Sequence, residues 1–69
     1  MPYTRHGELQ RVKVLAAIVD LSKADEYSPT VREIAAKVGL SVAATFNHLK
    51  ILRERGDVSS QRRGGWTVN

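Results

Sequence analysis

The segment "TVREIAAKVGLSVAATFNHLKILRERG", Thr30 to Gly56, decides how this chain folds. It opens on Thr30-Val31-Arg32-Glu33, the pattern of a capping box: the Thr hydroxyl accepts from the amide of Glu33, and the Glu33 carboxylate reaches back to the amide of Thr30. A helix follows over Val31–Val38, with Val31, Ile34, Ala35 and Val38 on one face. Gly39 takes the left-handed conformation that ends it. Leu40 plugs the turn, Ser41 caps a further helix, and Gly56 terminates that one. Two helices joined by a turn of a few residues containing a glycine form a helix-turn-helix, whose second helix enters a DNA major groove.

Upstream, Leu9, Val12, Leu15, Ala16 and Val19 recur at helical spacing and predict a first helix from about Gly7 to Leu21, ended by the polar loop "SKADE". Pro29 pushes Ser28 into an extended conformation, so Tyr27 to Pro29 reads as a very short strand. Downstream, the period changes. "DVSSQ" reads as a strand, "RRGG" as a turn and "WTV" as a second strand. Two strands alone are barely stable, so Val58, Trp66 and Val68 are expected to pack on the helices. The fold class is mainly α with a small β-hairpin, a three-helix winged helix-turn-helix, and residues 1–69 are read as one domain.

The 69 residues contain no Cys, so disulfides and thiolate metal sites are excluded. The longest apolar run, Val14 to Val19, is far shorter than the ~20 residues that span a bilayer. No signal-peptide core is visible at the start, and a cytoplasmic domain is expected. The net charge of +4 is unevenly placed. Residues 1–27 balance four basic against four acidic side chains, whereas residues 28–69 hold seven basic against three acidic. A localised basic field suits a polyanion, nucleic acid before membrane.

At about 100° per residue, Val42, Thr45, Leu49 and Leu52 of the third helix share one side and are expected to face the core. Ala43, Asn47 and Lys50 point away from it, with Ala44 and Ile51 on the other flank. The N-terminal half of this outward face is uncharged, while Lys50, Arg53, Glu54 and Arg55 stand further along. That division suits a recognition helix: small side chains let the backbone approach base edges, and methyl groups meet thymine. Asn47 can pair both its amide groups with adenine, worth ~1–3 kcal/mol of discrimination. Ser41 and the open amides at the helix start can take a phosphate. The plain alternative is that Ala43 and Ala44 are good helix formers on a solvated face. Phe46, on the border, reads equally as a ring packed on the flank against the hairpin and as a thymine contact; His48, on the opposite border, reads as a structural histidine or a phosphate contact. Arg62 and Arg63, beside Gly64 and Gly65, form a basic tip suited to the phosphate backbone or a minor groove. Trp66 reads as the anchor that packs the hairpin rather than as a stacking platform.

The run "EYSPTVREIAAKVGLS", followed by "HLKILRERG" and a short hairpin with a basic turn, resembles the DNA-binding domain of the LexA repressor family over nearly the whole chain. The segment Tyr27 to Ile34 is the most specific part. The resemblance implies operator binding as a dimer, with the third helix in the major groove and base contacts on Ser41, Ala43, Ala44, Phe46 and Asn47. Two positions depart from the family: an Asn of its pattern falls on Ala43, and the turn before Ser41 is one residue shorter. The family's second domain, with its Ser/Lys self-cleavage chemistry, has no counterpart in these residues, so an isolated domain or a small stand-alone regulator is expected, and the resemblance implies a prokaryotic or phage-encoded, nucleoid-associated protein.

The reading is of a transcriptional regulator, a repressor, whose partner is double-stranded DNA. A homodimer on DNA or a protein partner accompanies it, with no membrane partner. It predicts no enzyme, no cofactor and no metal, since two histidines, no phosphate loop and an isolated Asp25-Glu26 pair provide no such chemistry. The competing readings are a winged helix that docks a protein with the same face, and an architectural or excisionase-type binder that bends DNA.

Overall fold

The computed structural model describes residues 5–25, 28–61 and 64–69. The elements run α1 (Arg5–Asp25), α2 (Val31–Val38), α3 (Val42–Arg55), β1 (Val58–Ser60) and β2 (Trp66–Val68). This is the expected winged helix-turn-helix.

The helix-turn-helix forms as its local chemistry dictates. Thr30 Oγ1 accepts from the Glu33 amide at 3.3 Å, and Glu33 Oε1 accepts from the Thr30 amide at 2.9 Å. Gly39, at φ 76°, ends α2 by donating its amide to the Ala35 carbonyl at 2.9 Å. A side chain with a Cβ is strained in that conformation, which is why a glycine marks the turn. Ser41 Oγ then accepts from the Ala44 amide at 3.1 Å, and Gly56 closes α3.

The core draws on every element: Val14, Ala17 and Ile18 from α1, Ile34 from α2, Leu49 and Leu52 from α3, Val58 from β1 and Trp66 from β2. Three sequence expectations are corrected here. First, α1 is longer than Gly7–Leu21, because "SKAD" holds no Gly or Pro to break it, and Lys23 in its last turn suits the helix dipole. Moreover, the apolar stripe that betrays the helix is not the one that packs. Leu9, Val12 and Val19 remain 55%, 59% and 38% exposed, while Val14, Ala17 and Ile18 are buried. Second, Val42 stays 44% exposed. Its angle on the helix is right, but as the first residue of α3 it stands beyond the end of the packed layer. Third, Val68 is 40% exposed at the end of its strand, so of the three apolar residues expected to pack the hairpin down, Val58 and Trp66 are buried and Val68 is not.

β1 and β2 pair antiparallel, Val58 with Val68, Ser59 with Thr67 and Ser60 with Trp66. The short third strand expected at Tyr27–Pro29 is instead a single bridge one residue later, Thr30 with Gly65, supported by the Trp66 amide donating to the Pro29 carbonyl at 2.9 Å. Tyr27 lies outside the described residues. Since Thr30 is also the cap of α2, the same residue starts the helix-turn-helix and moors the wing. Among the described residues, no helix is long and apolar enough to cross a membrane.

Candidate nucleic-acid interface

The outward side of α3 is uncovered by the rest of the described chain. Ser41, Ala43, Asn47, Lys50 and Arg53 are exposed, and Ala44 is half-buried on one flank. Thr45, Leu49 and Leu52, at the opposite angle, are buried. The face is therefore fixed by which side of α3 the core takes. Its first half carries two methyl groups and one carboxamide, with no charge.

Phe46 combines the two readings open in the sequence. Its ring meets the Trp66 ring edge-on, centroids 6.3 Å apart at 74°, yet the residue stays 43% exposed. Trp66 itself is 4% exposed, so it anchors the hairpin and offers no face for stacking a base. The edge-on pair joins α3 to the wing and leaves Phe46 partly open to solvent. Two cations stand over these rings: Lys50 Nζ lies 5.8 Å from the Phe46 centroid, and the Arg53 guanidinium 6.0 Å from that of Trp66. Such contacts hold positive charge on the seam between helix and wing at modest energy, ~0.5–1 kcal/mol each at exposed sites. The Lys50–Phe46 contact is an i,i+4 pair that helical spacing already allows, whereas the Arg53–Trp66 contact joins two elements and arises only through tertiary packing.

Arg55, at the far end of α3, faces a different task. Its Nη2 lies 2.8 Å from Glu8 Oε1, which also accepts from Arg11 at 2.6 Å. The Arg55 hydrogen bond first, then that of Arg11, holds the Glu8 carboxyl down from the usual 4.5 to about 2. Glu8 is thus anionic at neutral pH and ties the start of α1 to the end of α3. Lys50 and Arg53 accordingly carry the basic character of the exposed side of α3. His48 is half-buried. The wing-tip pair Arg62 and Arg63 lies outside the described residues. The strands that bracket it are in place, with Gln61 donating its amide to the Gly65 carbonyl at 2.7 Å.

A family model described as the LexA DNA binding domain matches residues 7–63, from α1 through β1 and beyond. No curated protein and no solved structure matches the chain.

Proposed function

Because the chain belongs to the LexA DNA-binding domain family, we propose that it is one domain acting as a sequence-specific transcriptional repressor, which presses α3 into the major groove of double-stranded DNA and lays its wing on the phosphate backbone. The observation that supports this is the uncovered, uncharged first half of α3 beside cations held at the seam with the wing. Ala43 and Ala44 let the helix backbone come close to base edges. Asn47 reads adenine, and Phe46 offers the exposed part of its ring to a thymine methyl. Ser41, at the helix start, takes a phosphate oxygen, helped by the positive end of the helix dipole. Lys50 and Arg53 contact phosphates along the groove, and Arg62 and Arg63 grip the strand beside it. Two copies occupy the two halves of an operator, as one small module makes too few contacts for a tight complex. The place of action is the nucleoid or cytoplasm.

Selection of sites from a random DNA pool near physiological salt tests the reading, and an inverted repeat is the expected product. Affinity for the selected site should fall with log salt at a slope near −3.6 if about four phosphates are neutralised. Asn47→Ala should relax preference at one base pair. Arg62→Ala with Arg63→Ala should weaken all sequences alike and flatten the slope. A flat salt dependence would point to a protein docked on the same face, and a uniform loss of affinity in Asn47→Ala would remove that residue from base readout.

A further inference from the structure

The reverse side of α1 carries an apolar stripe that the fold leaves unused. Leu9, Val12 and Val19 are 55%, 59% and 38% exposed, and Ala16 between them is exposed too. At about 100° per residue all four fall within about 40° of the line opposite Val14, the fully buried centre of the packed side. They are therefore not the ragged edge of the core. A helix face meant for water carries charge, and this one is apolar over nearly three turns. At the Val19 end it runs into a cleft between α1 and β2 lined by Ile18, Val19, Ser22, Thr67 and Val68.

We propose that this stripe is the surface through which a second copy of the chain pairs, α1 against α1, antiparallel. The occupant follows from the pattern. Positions 9, 12, 16 and 19 are spaced three, four and three residues apart, which reads the same in both directions. Turning a copy end for end sets Leu9 against the partner's Val19 and Val12 against the partner's Ala16. Small Ala16 at the middle lets the helices approach, and opposed helix dipoles favour this sense over the parallel one. The exposed parts of Leu9, Val12, Val19 and Val68 amount to roughly 300 Å² per copy, the size of the patches that mark interaction sites on monomers. A standard stable interface buries ~800 Å² per partner. The pairing is thus reversible and concentration-dependent, and two copies held on one DNA reach the effective concentration that completes it. The cooperative part of this proposal rests on the DNA reading above; the pairing itself does not.

Sedimentation equilibrium of the protein alone should show the mean mass rising towards twice the monomer with concentration. Val12→Glu, at an exposed position, should keep the wild-type helical circular dichroism and melting point and stay monomeric throughout. The chain has no Cys, so a Val12→Cys, Ala16→Cys variant can be oxidised and mapped by mass spectrometry. The expected product joins position 12 to the partner's position 16. Wild type that stays monomeric to millimolar concentration, Val12→Glu that still dimerises, or links only between equal positions would each overturn the antiparallel pair. On a single half-site, Val12→Glu should bind as wild type does; on a paired site it should lose ~10-fold in cooperativity, within the usual range of coupling. Equal cooperativity in the two proteins overturns the role of the stripe on DNA. If neither protein binds any DNA, the DNA reading fails, while the mass measurement still decides the pairing.

Discussion

Replacing Gly65 by alanine should loosen the wing from the body of the domain. A Cβ at Gly65 would sit 2.6 Å from Ser28 Cβ, 2.9 Å from the Ser28 carbonyl oxygen and 3.2 Å from its carbon. Comfortable carbon contacts lie at about 3.5–4.0 Å, so the shortfall is near 1 Å against atoms fixed to the backbone. Pro29 next door is fully buried and blocks retreat in that direction. The hairpin must therefore shift outward, straining the Thr30–Gly65 bridge and the hydrogen bond from the Trp66 amide to Pro29. Overpacking of this kind costs about 1–3 kcal/mol, and a weakened backbone hydrogen bond about 1 kcal/mol more. The smaller conformational freedom of alanine in the unfolded chain returns about 0.4–1 kcal/mol. The net loss is about 1–3.5 kcal/mol, centred near 2, a drop in Tm of roughly 5–25 °C for a domain this small. Gly64 is the control. A Cβ there meets nothing within 4 Å, and only its φ of 84° opposes substitution, a cost of about 1–2 kcal/mol before the same entropic return. Urea and thermal unfolding followed by circular dichroism, with Trp66 fluorescence reporting the wing, would measure both. A Gly65→Ala protein that melts within a few degrees of wild type, or a Gly64→Ala protein that is the weaker of the two, would refute the close-approach argument.

Other outcomes follow from single contacts. Thr45 is fully buried, and among the described residues its hydroxyl has no hydrogen-bond partner; Thr45→Val should raise stability by about 1 kcal/mol, and a lower urea midpoint would show that the hydroxyl is satisfied after all. Thr30→Ala removes one arm of the capping box and should cost about 1 kcal/mol, largely restored by Thr30→Ser, as judged by the same unfolding curves. The Glu8 carboxyl is held at about 2 instead of 4.5 by Arg55 and Arg11. Its contribution is fully present above 4.5 and is lost as pH falls through that window towards 2. Melting points from pH 6 to 2 should therefore drop less steeply in Glu8→Gln than in wild type, and identical slopes would remove Glu8 from the acid limb.

How far the linear chain foretold this molecule depends on the range of each interaction. The cap of α2, the turn at Gly39, the cap at Ser41 and the stop at Gly56 are bonds between residues at most four apart, so their geometry is written in neighbouring side chains. The uncovered face of α3 was legible for a related reason, as Thr45, Leu49 and Leu52 supply the one broad apolar side for the core to take. α1 offered no such choice. It is apolar on two opposite sides, and its own pattern favours neither Leu9-Val12-Ala16-Val19 nor Val14-Ala17-Ile18. Only docking against α2, α3 and β2 selected the second and left the first in water. The same holds for Glu8 bonding Arg55 across 47 positions, for Phe46 meeting Trp66, and for Gly65 pressed on Ser28. Local sequence determined the helix-turn-helix because its caps and turn close within a few residues. The assembled fold decided which faces meet, because burial is a property of neighbours that the chain brings together only when it folds.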